Sequence, residues 1–157
     1  RRLEKLETLK QELEKSSHIT VHINQKDLSD PQQVYALYEE VRQHGWEVNM
    51  LVNNAGRGLY GNFADSDLGT ELHMINLNIS AVVILTKLFL QDMLVRKEGR
   101  IMHVASLLSF LPFPYYSVYS ATKSFILAFS ETLAAELEGS GVIVTTLCPG
   151  PVDTAFN

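Results

Sequence analysis

Two kinds of hydrophobic pattern alternate along the chain. Short apolar runs rich in Val, Ile and Met are followed by longer segments in which apolar residues recur every three or four positions. The first pattern is typical of buried strands and the second of helices that bury one face. Together they predict helices over residues 1–15, 31–44, 70–96 and 115–138, and strands over residues 19–23, 48–52, 100–105 and 142–147.

The order of these elements indicates the fold class. Strands that alternate with helices form βαβ units, whose strands run parallel in one sheet, so the sequence predicts an α/β protein. Asp30 and Pro31 provide a cap and a first-turn proline for the second helix, and Gly45 follows its end. We expect the last helix to pack on the sheet through an apolar arc that consists of Val118, Ala121, Phe125, Ala128, Phe129 and Leu133.

Composition narrows the class of protein. The 157 residues are 46% hydrophobic and 20% charged, as expected for one globular domain. The net charge is -5 and no basic tract extends beyond Arg1 and Arg2, so we expect no nucleic-acid partner. Cys148 is the single cysteine, which excludes an internal disulfide and is typical of a reducing compartment. The histidines lack metal-ligand spacing, so no metal site is expected.

The sequence also bears on location. The N-terminal segment alternates charged residues with leucine and contains no apolar stretch of the kind that directs secretion. The most apolar segment, from Met74 to Thr86, is shorter than the roughly 18 or more residues of a membrane-spanning helix. We therefore expect a cytoplasmic protein without a membrane span.

Candidate chemistry is concentrated between Ser106 and Lys123. Tyr119 and Lys123 are spaced to project from one face of the last helix. A free phenol titrates near pH 10. An ammonium about 4 Å away at an effective dielectric of about 20 contributes about 4 kcal/mol, which lowers the phenol pKa by about three units. Tyr119 would then serve as a general acid or base near neutral pH. Ser106 follows a strand, at the edge where α/β sheets bind ligands.

A tyrosine and a lysine at this spacing also occur as an ordinary surface pair, so the neighbouring motifs matter. Asn53–Gly56 (Asn-Asn-Ala-Gly) ends a strand, Asn78 lies within a long helix, and Pro149–Thr154 (Pro-Gly-Pro-Val-Asp-Thr) follows a later strand. With Ser106 and the Tyr-x-x-x-Lys pair, this ordered set resembles the short-chain dehydrogenase/reductase family. The matching motifs run from Asn53 to Thr154, and the resemblance implies a Rossmann-like, doubly wound parallel sheet.

Against that family, the chain is expected to be a fragment. The family's glycine-rich phosphate loop would stand before residue 1, and the region that covers the substrate would follow residue 157. We therefore interpret residues 1–157 as a single partial Rossmann-like domain, truncated at both ends.

The resemblance implies roles for individual residues. Tyr119 is the acid or base, Ser106 holds the substrate oxygen, Lys123 lowers the tyrosine pKa and binds the nicotinamide ribose, and Asn78 relays protons, with Asn76 as a competing candidate. Cofactor contacts are implied for Arg1, Asp27, Leu28, Asn54, Ala55, Gly56, Tyr119, Lys123, Pro149, Gly150, Val152 and Thr154.

Two of these positions leave alternatives open. Arginine at position 1 favours a 2′-phosphate and hence NADP over NAD, although a solvated helix start explains it as well. Asp27 lies where the family contacts adenine, and it also suits the turn before Pro31.

The implied function is NAD(P)-dependent interconversion of a small-molecule carbonyl and an alcohol. Two alternatives are an inactive fragment that serves as a dimerisation or interaction module and a nucleotide-sugar epimerase or dehydratase. The turn at Pro149–Thr154 argues against the second alternative. The resemblance also implies a homodimer or homotetramer formed through helices 70–96 and 115–138.

Overall fold

The computed structural model describes residues 3–151. Its elements are α1 (Leu3–Ser16), α2 (Pro31–Gln43), β1 (Met50–Asn53), α3 (Leu68–Ile75), α4 (Ala81–Arg96), β2 (Gly99–Val104), α5 (Ser117–Glu136) and β3 (Val142–Leu147). A π-helical turn, Asn76–Ser80, joins α3 to α4, and single 3-10 turns lie at Phe63–Asp65 and Leu107–Ser109. The predicted helices and the last three predicted strands are present, with bounds that differ by a few residues.

The three strands form one parallel sheet with β2 at its centre. Val52 of β1 pairs with Met102 of β2, which pairs with Thr145 of β3. Parallel neighbours require long crossovers. Helices α3 and α4 therefore connect β1 to β2, and α5 connects β2 to β3. The predicted α/β class with a parallel sheet is confirmed.

Local sequence explains where several elements begin. The Asp30 carboxylate accepts a hydrogen bond from the Gln32 amide (3.0 Å), which caps α2 as predicted. Before β3, Gly141 has a φ of +87°, and a Cβ atom there would lie 2.0 Å from the carbonyl oxygen of Lys97. Only glycine allows this close approach, which pins the start of β3 against the end of α4.

The two faces of the sheet differ in burial. Helices α4 and α5 pack on one face, where Ile101 and Ala105 are almost completely buried among apolar helix residues. The opposite face has no helix against it within residues 3–151. Its exposed apolar side chains are Met50, Val52, Ile143 and Leu147.

The predicted strand at residues 19–23 is wrong. This segment has no regular secondary structure. A strand forms only where a neighbouring segment shares its backbone hydrogen bonds, and no strand lies beside this one in the described part of the chain. The Val21 amide instead donates to the Glu14 carboxylate (2.9 Å).

The predicted apolar arc of α5 is also wrong. Ala121, Phe125 and Ala128 are exposed. The helix buries a largely polar face, most of whose side chains find hydrogen-bond partners in the core and so avoid the cost of unpaired burial. That face consists of Tyr119, Ser120, Thr122, Lys123, Ile126 and Ser130.

The predicted helix 70–96 begins two residues earlier and is interrupted by the π-helical turn. Its helical stretch, Leu68–Arg96, has 29 residues and is long and apolar enough to cross a membrane by composition. The predicted apolar segment Met74–Thr86 lies within this stretch, and the absence of a membrane span stays a prediction. Of its most apolar window, 44% is buried within the protein. A core helix meets the same criteria, and α4 packs on the sheet.

Candidate active site

Four candidate catalytic residues meet at the carboxyl end of β2. Ser106 immediately follows the strand, Tyr119 and Lys123 lie on the buried face of α5, and Asn78 occupies the π-helical turn. Each is at most 9% exposed. We call Asn78, Ser106, Tyr119 and Lys123 the catalytic quartet.

Ser106 is held by a tight turn. Its hydroxyl accepts a hydrogen bond from the Leu108 amide (3.2 Å), and its own amide donates to the Ser109 hydroxyl (3.2 Å). Ser109 in turn donates to the Lys123 carbonyl on α5 (2.9 Å). One serine thus joins the backbones that carry two quartet members. Sequence reasoning missed Ser109, because the usual capping signal has Glu or Gln at this position and not serine.

The electrostatics of Tyr119 differ from expectation. Burial raises the pKa of Tyr119, and a hydrogen bond with the Ser106 side chain acts in the opposite direction. The Lys123 ammonium lies 5.9 Å from the centre of the Tyr119 ring and donates to the Val104 carbonyl (2.7 Å). The pKa of Tyr119 is therefore raised and not lowered as predicted, because burial outweighs the Ser106 hydrogen bond while the Lys123 ammonium is bonded to the Val104 carbonyl.

Lys123 is perturbed by the same burial. Loss of hydration disfavours the charged amine and lowers the pKa of Lys123 to about 8. The side chain is 5% exposed. It remains mainly protonated at neutral pH and keeps its donors.

Asn78 cross-links three segments. Its side-chain oxygen accepts from the Arg57 amide (3.0 Å), while its nitrogen donates to the Arg57 carbonyl (3.0 Å) and to the Thr122 hydroxyl (3.0 Å). Thr122 donates to the Tyr119 carbonyl (2.8 Å). Asn76 has only a long contact with Ser80 (3.5 Å) among its recorded side-chain hydrogen bonds. The geometry thus joins Asn78, not Asn76, to the tyrosine-bearing helix.

Several residues with implied cofactor contacts lie around the quartet. Asn54, Ala55 and Gly150 are exposed, while Gly56 and Pro149 are half-buried. The Pro149 carbonyl accepts from the Leu107 amide (3.0 Å), which brings this turn beside the Ser106 turn. We call Asn54, Ala55, Gly56, Pro149 and Gly150 the cofactor group.

The cofactor contacts implied for Asp27 and Leu28 stay predictions, and both residues lie in the segment just before α2. The Asp27 carboxylate accepts from the amide (3.0 Å) and hydroxyl (2.6 Å) of Ser29, bonds that lower the pKa of Asp27. Leu28 packs against the apolar cluster between α2 and α4. Both positions thus serve the turn before α2. Arg1, Val152 and Thr154 lie outside the described residues.

A cavity with both aromatic and polar walls lies next to the tyrosine helix. The cavity has a volume of about 280 Å³, and its walls include Tyr60, Phe63 and Tyr115. Tyr115 adopts a φ of +68°, a conformation that costs a non-glycine residue free energy and is often found at functional sites. Among residues 3–151, no three His, Cys, Asp or Glu side chains are placed to hold a metal ion.

Comparison with known proteins identifies the family. A family model described as short chain dehydrogenase matches residues 1–157. The chain therefore belongs to the short-chain dehydrogenase family, and the resemblance seen in its motifs is confirmed.

Individual relatives support this assignment. The chain is 34% identical to 17-beta-hydroxysteroid dehydrogenase type 3 of Mus musculus over 98% of its own length and 50% of that protein. It is 37% identical to sulfoacetaldehyde reductase of Chromohalobacter salexigens, with coverage of 99% and 62%. The chain thus spans about half the length of the first relative and less than two thirds of the second.

A solved structure confirms the fold. The short-chain dehydrogenase from Sphingobium yanoikuyae in complex with NADPH superposes with a TM-score of 0.93 at 29% identity, over 99% of this chain and 60% of that one. The predicted Rossmann-like fold is confirmed.

Proposed function

We propose that the protein containing this chain is an NADP-dependent oxidoreductase that interconverts a carbonyl and an alcohol by hydride transfer. The observation that carries the proposal is the buried catalytic quartet, in which the hydroxyls of Tyr119 and Ser106 are hydrogen-bonded at the carboxyl end of β2. Two hydroxyls side by side can hold one substrate oxygen. The NADPH bound by a similar structure supports NADP, and NAD is the alternative.

The residues present suit such a cofactor. A Cβ atom at Gly56 would lie 3.2 Å from the Asn78 side-chain oxygen and 3.5 Å from the Lys123 ammonium nitrogen, so the turn presents bare backbone beside the quartet. Lys123 offers donors suited to a ribose hydroxyl. In this proposal the cofactor group and Lys123 hold the dinucleotide, which supplies the hydride when bound.

The side chains of the quartet then divide the remaining work. In the direction of reduction, Tyr119 donates a proton to the substrate oxygen while the carbonyl carbon gains the hydride. With its raised pKa, the Tyr119 phenol is protonated at neutral pH and has a proton to donate, but it is a weaker acid than a group with a pKa near neutrality. Ser106 donates a hydrogen bond to the same oxygen, and Asn78 holds the helix that carries Tyr119 through Thr122.

We further propose that the protein assembles as a homodimer or homotetramer through α3, α4 and α5. Large apolar side chains are exposed on these helices, among them Leu72, Val95 and Phe125. Replacement of Phe125 by Glu should shift the sedimentation coefficient of the full-length protein towards that of the monomer. An unchanged coefficient would count against this interface. The cytoplasmic location stays a prediction.

The central test compares Tyr119→Phe with Tyr116→Phe in the full-length protein. Both variants lose one hydroxyl, and the two rings are neighbours, with centroids 5.8 Å apart. We expect Tyr119→Phe to lower NADPH-dependent turnover of ketones and aldehydes by about 10²-fold or more, because the proton donor is lost. NADPH affinity should stay within a few fold in both variants, measured by fluorescence titration, and Tyr116→Phe should retain most turnover. Retained turnover in Tyr119→Phe would refute the assignment.

A further inference from the structure

A row of four hydrogen-bonded polar side chains lies in the core. Asn53 donates to the Thr86 hydroxyl (3.1 Å), and that oxygen lies 3.0 Å from Nε2 of His103. Nδ1 of His103 lies 2.7 Å from the Ser130 hydroxyl, which donates to the Ile126 carbonyl (2.6 Å). We call Asn53, Thr86, His103 and Ser130 the His103 row. Each is at most 7% exposed.

The two ends of the row fix the direction of its hydrogen bonds. Ser130 uses its only hydrogen on Ile126, so its oxygen must accept from His103, and Nδ1 must carry the hydrogen. At the other end, the Asn53 amide nitrogen can only donate. The Thr86 oxygen accepts that bond and can pass its own hydrogen to Nε2 of His103. Every bond in the row is satisfied by one neutral tautomer of the imidazole.

The surroundings of His103 favour that neutral form. The side chain is fully buried, and its ring stacks on Phe129 with centroids 5.5 Å apart. Burial lowers the pKa of His103 to about 4, so a second ring hydrogen is not expected at neutral pH.

The His103 row connects the same elements as the catalytic site, further inside the core. Its members come from β1, α4, β2 and α5. These elements, or the turns directly joined to them, also carry Gly56, Asn78, Ser106 and Lys123. Thr86 and Ser130 each lie about two helical turns beyond the quartet member of their own helix. The row therefore links the same elements that carry the quartet.

We propose that His103 is a positioning residue whose neutral Nδ1–H imidazole sets the separation of α4 and α5 and thereby aligns Asn78 with Tyr119 and Lys123. Its ring has a fixed width between the two nitrogens, so it acts as a rigid spacer between Thr86 and Ser130. An apolar side chain would leave both hydroxyls without this partner. The catalytic consequence rests on the function proposed above, whereas the tautomer does not.

The tautomer is tested by nitrogen NMR on this chain labelled with 15N-histidine. Five histidines are present, and the His103→Gln variant identifies the signals of His103 by their loss. We expect a protonated Nδ1 and an unprotonated Nε2 from about pH 5.5 to about pH 8. An Nε2–H tautomer, or an imidazolium in that range, would overturn the proposal.

The positioning role is tested in the full-length enzyme with three substitutions. His103→Asn can place an amide N–H near the former Nδ1, His103→Gln can place an amide oxygen near the former Nε2, and His103→Leu retains neither. We expect kcat to fall about tenfold in the first two and about a hundredfold in the third, with KM for NADPH within about twofold, because misalignment affects the chemical step.

Phe129→Leu is the matched control, since it removes the ring that stacks on His103 but no hydrogen bond. A loss of thermal stability in all four variants with unchanged kcat per folded molecule would show a purely structural role and refute positioning. Failure of the proposed function can be distinguished from failure of the positioning role. If the proposed function is wrong, the wild-type protein lacks turnover or Tyr119→Phe retains it. The NMR experiment still decides the tautomer in either case.

Discussion

The catalytic quartet and the cofactor group are built in opposite ways. Quartet side chains are buried, and each is bonded to, or through, another element of the fold. The cofactor group lies in two turns at strand ends and is exposed or half-buried. Gly56 and Gly150 in these turns have no side chain, so the backbone is accessible there. The chain therefore holds the groups that we propose for proton transfer in fixed positions and leaves an open backbone surface for the proposed cofactor. Substitutions in the two regions should differ in size and kind of effect.

The largest effect is expected for Lys123→Met. The change removes an ammonium and leaves the Val104 carbonyl without its donor, which costs about 1–3 kcal/mol of stability. Turnover by the full-length protein should fall about a hundredfold or more, as measured by NADPH oxidation. Lys87→Met alters an exposed lysine and serves as the control. A Lys123→Met enzyme with near-normal kcat would show that the quartet does not act as one unit.

A smaller effect is expected from acid, through His103. The pKa of His103 is about 4 in the folded protein, against an ordinary value of 6.5 that applies to the unfolded chain. Between these pH values the imidazole is protonated in the unfolded chain and neutral in the folded protein. Stability should therefore fall as the pH drops through 6.5 towards 4, by about 3 kcal/mol, and should be nearly independent of this group well above pH 6.5.

Urea unfolding of this chain at several pH values measures the effect. The curve for His103→Gln isolates the histidine from the carboxylates that also titrate in acid. Identical pH dependence in the two proteins would contradict the lowered pKa.

Ser109→Ala should have an intermediate effect on catalysis. It removes both the bond to the Ser106 amide and the bond to the Lys123 carbonyl, so the two backbones lose their shared tether. We expect kcat to fall about tenfold with little change in KM for NADPH. Ser124→Ala breaks a bond to the same turn, at the Ser109 carbonyl, without freeing Ser106. Equal losses in both variants would assign the effect to general loosening of the turn.

The smallest effect is expected for Asp27→Asn. Its carboxylate is exposed and already accepts two hydrogen bonds from Ser29, so an amide should replace most of that local role. NADPH affinity of the full-length protein should change less than about threefold, as measured by fluorescence titration, since exposed charges contribute little. A tenfold loss would instead assign Asp27 to the cofactor, as the family resemblance implies.

The sequence predicted much of the fold because its signals are local. Glycines, caps and apolar runs mark the ends of the helices and of three strands, and Ser106, Tyr119 and Lys123 follow from strand-end position and helical spacing. The strand at residues 19–23 could not be decided locally, because pairing depends on a neighbour. The residues that would pair with this segment are not part of it, so its own sequence cannot show whether they are present.

The buried face of α5 shows a second limit. A pattern of apolar residues predicts burial only where apolar contact is the main gain, and here Thr122, Lys123 and Ser130 enter the core through hydrogen bonds with distant elements. The predicted lowering of the Tyr119 pKa failed for the same reason, since the pKa depends on surroundings that no spacing reveals. Contacts with distant parts of the chain thus determine both the buried face of α5 and the pKa of Tyr119.

The π-helical turn has an implication for how such a protein could change over time. At Asn76–Ser80 the Ala81 amide bonds five residues back, to the Asn76 carbonyl, so the helix contains one residue more than regular winding would use. A single-codon deletion there would restore regular winding and rotate Asn78 by about 100° relative to α4. The protein would gain a better helix and lose its link from Arg57 to Thr122. The extra residue thus sets the direction in which Asn78 projects from the helix.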